Sequence, residues 1–340
     1  MADGTAVQSK NCLKDGDSMV CMISRDILPA LPNKIREIIV ELPGEILNQI
    51  EEIRLRYGKP LIIGLTREDV MVTSLGQVTT VPEFAYMVTD QDMKRTVQLI
   101  SGSSIYAFEE ELKNGFITIR GGHRVGISGK VVVDRGKVKT IKYINGLNIR
   151  VAREVAGAAD TVLPYLVDPV SGEFSHTLII SPPRCGKTTL LRDIVRQVSS
   201  GIPKLNFKGV PVGVVDERSE IAGCYHGIPQ KDIGNRTDVL DGCPKAEGMM
   251  MLIRAMGPRI IAADEIGRQE DAAALEEALN GGIKVLTTAH GSGREEISQR
   301  PVLRYIIEQR IFERLIILGR SRGVGTIEDI IDCMTGKSLL

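Results

Sequence analysis

The sequence contains no tryptophan, four histidines and six cysteines, and aromatics make up only 4% of it. Cys12, Cys21, Cys185, Cys224, Cys243 and Cys333 are scattered, and none forms a Cys-x-x-Cys pair. That excludes zinc ribbons and dithiol redox motifs, and the six read as reduced thiols. Net charge is also missing: 43 basic side chains balance 43 acidic ones. Such a balance argues against a surface coated for nucleic acid, although a local basic patch remains open. No apolar run approaches the ~18 residues of a membrane span. The longest, 177-TLII-180, 259-RIIAA-263 and 314-RLIILG-319, have the length of buried strands. Residues 1–25 lack an apolar core with a cleavage site, so they read as a disordered lead-in to a cytoplasmic protein and not as a secretory signal.

What is present fits two domains, for which 340 residues suffice. Residues 26–155 mix short helices with β-rich text and predict a smaller α+β N-terminal domain. Within it, 51-EEIRLRYGKPLIIGL-65 reads as strand–turn–strand, 91–115 as helical, and 116–144 as strands with glycine turns. Between Lys113 and Arg150 there are nine lysines and arginines against one acid, Asp134. A linker is expected over 156–172, with 155-VAGAAD-160 as the hinge candidate. From 173 to 340 apolar strands alternate with helical patterns. Strands are expected at 177–181, 210–217, 259–265, 284–290 and 314–318, and helices from Thr188 and over 269–280. This alternation predicts an α/β domain with a mainly parallel sheet covered on both faces. Ligands of such sheets bind at the carboxyl ends of the strands.

The chemistry-bearing motifs fall at those ends. In 181-SPPRCGKTT-189, a phosphate loop (P-loop) follows an apolar strand and opens an amphipathic helix. Ser181 stands where the pattern G-x-x-x-x-G-K-[ST] begins with glycine. Pro182 and Pro183 stiffen the turn, and Arg184, Cys185 and Thr189 complete the stretch. Gly186 permits close approach, Lys187 reaches the β- and γ-phosphates, and Thr188 offers a hydroxyl to Mg²⁺. In 259-RIIAADEIG-267, Asp264 is placed for the Mg²⁺ shell and Glu265 to polarise the attacking water. Asp216, Glu217 and Glu220 cluster in 214-VVDERSEI-221, where a helix start favouring acids is the competing reading. His290 ends the strand of 287-TTAHG-291 as a candidate sensor of nucleotide state. The set predicts ATP and Mg²⁺ as ligands and Mg²⁺-dependent ATP hydrolysis as the activity.

The order of these motifs resembles that of the secretion and traffic ATPases, the motors of type II and type IV secretion and of pili. More narrowly, 121-GGHRVGISG-129, 147-LNIRVARE-154, 178-LIISPPRCGKTTLLRD-193, 214-VVDERSEIAG-223 and 301-PVLRYIIEQRIFERLIIL-318 resemble the stage III sporulation AA family of spore-forming Firmicutes, as does 106-YAFEEEL-112. The resemblance implies a RecA-like motor domain behind the N-terminal domain and a homo-oligomeric, hexameric ring with ATP between subunits. It also implies docking on a membrane-embedded channel, on the mother-cell side of a developing spore. It further implies that N-domain arginines approach the γ-phosphate, with Arg124 and Arg150 or Arg153 as candidates. Aspartate at position 264, where many secretion ATPases carry glycine, makes the Mg²⁺ site more ordinary. Two rivals stay open: an ATP-binding switch or scaffold without useful turnover, and a nucleic-acid motor. The lack of aromatics for base stacking speaks against the second.

Overall fold

The structure, a computed structural model, describes residues 19–102 and 109–340. The chain divides between Arg153 and Glu154 into two compact units. In the first, α1 (Met19–Met22) runs into a π-helical turn at Ile23–Ile27, followed by α2 (Asn33–Val40) and α3 (Gly44–Leu47). Residues 19–25 are thus ordered, unlike the lead-in expected of them, because Ile23 and Ile27 bury their side chains in the first unit's core. Residues 1–18 of that expectation lie outside the described residues.

Seven strands follow: β1 (Ile50–Arg56), β2 (Ile62–Leu65), β3 (Asp69–Val72), β4 (Val78–Thr79), β5 (Phe116–Ile119), β6 (His123–Asp134) and β7 (Lys137–Arg150). They form one antiparallel sheet in the order β4-β3-β2-β1-β7-β6-β5. The stretch expected as helical contains α4 (Asp90–Ile100) and α5 (Glu109–Asn114), with 103–108 outside the described residues. A reciprocal cap starts α4: the Asp92 N–H donates to Thr89 Oγ1 at 3.1 Å and the Thr89 N–H to Asp92 Oδ2 at 2.9 Å. Cys21 is disulfide-bonded, which departs from the expected reduced thiols, whereas Cys185, Cys224, Cys243 and Cys333 are free.

The second unit begins earlier than its motifs suggest. Residues 156–172 carry α6 (Leu163–Leu166), and Ala159, Val162, Leu163, Leu166 and Val167 are buried in this unit's core. The Ala159 N–H also donates to Asp193 Oδ2 at 2.8 Å. The expected linker is therefore part of the second unit, because its small and apolar residues cover one face of the sheet. That sheet contains β8 (Thr177–Ser181), β11 (Val212–Asp216), β12 (Thr237–Asp241), β13 (Ile260–Ala263), β14 (Lys284–His290), β15 (Arg314–Gly319) and β16 (Thr326–Asp332); the short pair β9 (Gly201–Ile202) and β10 (Phe207–Lys208) stands apart. The order is β12-β11-β13-β14-β8-β15-β16, parallel throughout except for the edge strand β16.

Helices α7 (Lys187–Ser200), α8 (Lys245–Ala255), α9 (Gln269–Asn280), α10 (Arg294–Ile297) and α11 (Pro301–Glu308) complete the unit. Successive residues of β8 serve opposite faces, as strand pleating dictates. Ile179 packs with Leu190, Leu191 and Ile194 of α7, whereas Leu178 and Ile180 pack with the apolar sides of α8, α9 and α11. Each isoleucine so buried contributes about 2–3 kcal/mol relative to exposure. The parallel order brings the carboxyl ends of β11, β13, β14 and β8 to one rim.

Candidate nucleotide site

At that rim β8 ends in Ser181, which is fully buried and donates its hydroxyl to its own loop at the Pro182 carbonyl (2.6 Å). The serine thus closes the strand, and the anion-facing work falls to residues further on. Arg184 (φ 59°) and Gly186 (φ 87°) both take left-handed backbone conformations, and α7 starts immediately afterwards. Alternation of this kind turns successive amides into one concavity, to which α7 adds its positive end. Glycine suits position 186 for that φ. Pro183 and Arg184 are exposed, whereas Cys185 is buried with its thiol toward the Pro183 carbonyl.

Lys187 is 8% exposed. Burial pushes its ammonium below the usual lysine range, while the charges of Asp264, Glu265 and Glu220 work to keep it protonated. Its Nζ lies 3.3 Å from His290 Nδ1, and His290 Nε2 lies 3.0 Å from Glu265 Oε1. One tautomer satisfies both contacts: Nε2–H donates to Glu265, and the Nδ1 lone pair accepts from Lys187. The phosphate-loop lysine and the acid expected to handle water therefore sit on either side of one imidazole. Glu265 itself has φ 48°, a conformation that costs a non-glycine residue about 1–3 kcal/mol. It is held there by its N–H, which donates to Thr288 Oγ1 at 2.9 Å.

Thr288 also donates to Asp264 Oδ1 at 2.5 Å, and Thr188 Oγ1 lies 3.4 Å from Asp264 Oδ2. Thr188 and Asp264 are hard oxygen donors side by side. Among the described residues no three histidines, cysteines or acids group into a metal cage. The pair nevertheless fits Mg²⁺, which at nucleotide sites takes one or two protein oxygens and completes its shell with phosphates and water.

The acidic box divides its labour. The Asp216 carboxylate is buried and accepts the N–H groups of Glu220, Ile221 and Ala222 at 2.8, 2.9 and 2.8 Å. From the other side Arg192 of α7 donates to the carbonyls of Glu220 (2.6 Å) and Ile221 (2.5 Å). The turn is clamped at both its donors and its acceptors. Glu217 is paired with Lys245 at the start of α8. Asp216 and Glu217 thus build the turn, and Glu220 is the member whose charge acts on Lys187. Arg218, on the same turn, reaches Glu265 Oε2 at 3.4 Å.

Burial raises the Asp216 pKa to about 6, against the pull of its three amide donors. Being above the unfolded value, it makes the folded state bind a proton more readily. The stability contributed through this group is present below pH ~4 and is lost as pH rises through about 6. Asp216→Ala leaves three amides without their acceptor and is expected to cost about 3 kcal/mol. Calorimetric melting of the variant checks this; an unchanged Tm would mean that the turn stands without its aspartate.

The candidate arginines belong to the first unit. Arg150 and Arg124 are register neighbours, with Glu52 opposite Arg150 on the other side. Arg150 Nε lies 3.4 Å from Glu52 Oε1, and the Arg124 guanidinium stacks 3.8 Å from the Phe116 ring centre. Arg153 instead donates to the Ile50 carbonyl (3.1 Å), a backbone tether. Arg54 and Arg56 alternate on β1 so as to share the face of Glu52, and Arg54 is paired with that glutamate. Sequence reading missed Thr288, Arg192 and Arg218; of these only Thr288 carried a signal, being the second threonine of the TTAHG strand.

Solved structures share this fold. The Legionella pneumophila ATPase DotB superposes with a TM-score of 0.51 at 18% identity, over 78% of this chain and 71% of that one. The pilus retraction motor PilT, solved with bound ADP, gives 0.51 at 16% identity, over 85% and 77%. These likenesses show that the chain shares the RecA-like fold of those two structures. Among curated proteins, stage III sporulation protein AA of Bacillus subtilis (strain 168) is 44% identical over 307 residues, 90% of this chain and 94% of the relative. The family described as "Sporulation stage III, protein AA" matches residues 23–338. With both units spanned by that match, the chain belongs to the stage III sporulation protein AA family.

Proposed function

We propose that the protein is a Mg²⁺-dependent ATPase that works as a homo-oligomeric motor in sporulation. The observation that carries this reading is the continuous chain Lys187–His290–Glu265 beside the Thr188–Asp264 pair. The loop amides and Lys187 bind the β- and γ-phosphates of ATP. Thr188 and Asp264 hold Mg²⁺, which when bound neutralises charge on the phosphate oxygens. Glu265 orients a water toward the γ-phosphorus. The water oxygen bonds to phosphorus as the bond to the β–γ bridging oxygen breaks, and the water's proton passes toward the Glu265 carboxylate and leaves with the phosphate. Lys187 turned toward phosphate gives up His290, and the imidazole then reports that change to Glu265.

Membership of the family and likeness to secretion motors support a role in energising or assembling a channel between mother cell and forespore. On this reading the protein is a hexameric ring, peripheral to the membrane through partners on the mother-cell side, with Arg124 and Arg150 acting on nucleotide. No helix of the described residues is long and apolar enough to cross a membrane.

Mg²⁺-dependent phosphate release, measured against protein concentration, tests the reading. Turnover per subunit is expected to rise with concentration, as a site completed between subunits requires. Flat turnover would argue for a self-contained ATPase. ATP binding without release at any concentration would favour a switch or scaffold.

A further inference from the structure

We propose that Arg320, which lies outside every motif of the sequence, is a positioning residue that aims the phosphate-loop amides at the bound polyphosphate. The inference rests on the nucleotide-binding reading above. Strand β15 runs parallel beside β8, with Ile317 level with Ile180, so the residues after β15 arrive next to the phosphate loop. There Arg320 Nη2 donates to two successive loop carbonyls, Pro183 at 3.3 Å and Arg184 at 2.9 Å.

The peptide bonds are trans. In a trans peptide the C=O and N–H point in opposite directions. Holding the Pro183 carbonyl outward therefore turns the Arg184 N–H inward, and holding the Arg184 carbonyl outward does the same for Cys185 N–H. These amides belong to the concavity that the left-handed residues Arg184 and Gly186 create. One guanidinium thus fixes the direction of two donors ahead of ligand binding, and its positive charge adds to the attraction for an anion.

Arg320 is itself held by a built loop. The Ser321 N–H and Oγ–H donate to Glu328 at 3.0 and 2.9 Å, and these bonds keep that carboxyl below its usual range. A β-carbon on Gly319 would collide with the same glutamate. Thr326 Oγ1 closes the turn onto the Gly323 carbonyl at 2.7 Å. The loop rests on the phosphate loop, since a β-carbon on Gly186 would touch Gly325 Cα at 3.5 Å. Ser181 leaves the usual opening glycine absent, and the strap from β15 supplies the rigidity of the turn from outside.

The test measures Mg²⁺–ADP affinity by calorimetry, and steady-state kcat and KM for ATP, in wild type, Arg320→Ala, Arg320→Lys and Lys187→Ala. Loss of two charge-assisted bonds is expected to raise Kd and KM about tenfold in Arg320→Ala, with kcat within about twofold. Arg320→Lys, with one donor direction kept, is expected near threefold. Melting temperatures within a few degrees of wild type separate positioning from loss of fold. Wild-type affinity in Arg320→Ala, beside lost affinity in Lys187→Ala, would overturn the inference and leave the nucleotide reading standing. No binding by the wild type would overturn both. Should Arg320→Ala melt below the assay temperature, Arg320→Lys decides: an unchanged Kd counts against the proposal.

Discussion

Lys187→Ala is expected to abolish Mg²⁺-dependent phosphate release, with kcat/KM falling by about 10³-fold or more. The size follows from the electrostatics around the ammonium. Asp264, Glu265 and Glu220 all act on this buried cation. Near a protein surface a charge pair at ~4 Å is worth about 4 kcal/mol. Removing this buried cation leaves three carboxylates against Arg218 at the point where the polyphosphate arrives, so the balance shifts toward repulsion. His290 Nδ1 also loses its donor, which frees the imidazole that orients Glu265. The check is phosphate release by the variant over a range of ATP concentrations, which gives kcat and KM, alongside circular dichroism to confirm the fold. Turnover within tenfold of wild type would mean that the site is not where ATP reacts.

Glu265→Gln should separate binding from chemistry. Glutamine keeps the size of the side chain, and its amide oxygen can still accept from His290 Nε2–H. The backbone N–H still donates to Thr288, so the left-handed conformation at 265 persists. What is lost is a group able to take up the water's proton. Such a loss lowers kcat by about 10²–10⁴-fold. ATP affinity should stay within a few-fold of wild type, or tighten as the charge next to the γ-phosphate disappears. Rapid-quench turnover with a parallel binding titration reads both. Wild-type turnover in Glu265→Gln would remove the residue from the chemistry and leave it as a link between His290 and Arg218.

Both expectations start from residues legible in the sequence, for a physical reason. A phosphate loop is local: strand, turn and helix are contiguous, so their chemistry is written in nine consecutive letters. The parallel sheet was legible too, because buried central strands such as Thr177–Ser181 and Ile260–Ala263 are runs of apolar residues. Edge strands were not. Thr237–Asp241 has polar residues and partial exposure, and Thr326–Asp332 mixes acids with isoleucines, so neither shows an apolar run. Roles set by distant partners were equally hidden. Arg192 reads as one more charge on a helix until the turn 28 residues later folds onto it. The acidic box looked like three equivalent acids, and burial of one and pairing of another separated them only in three dimensions. Residues 156–172 misled because small residues serve a hinge and a tightly packed core equally well.

The placement of β8 has a consequence for the order in which the protein becomes competent during synthesis. Its two sheet neighbours, β14 and β15, are both encoded more than a hundred residues later. The histidine facing Lys187 and the arginine holding the loop carbonyls come with them. Non-local pairings of this kind are slow to form, and domains acquire them as units. A ribosome that has just translated the phosphate loop therefore carries a strand without neighbours. On the proposed reading the nucleotide cradle is finished only once Arg320 is made, so a chain truncated shortly before it would retain every recognisable motif and leave two loop carbonyls without their arginine.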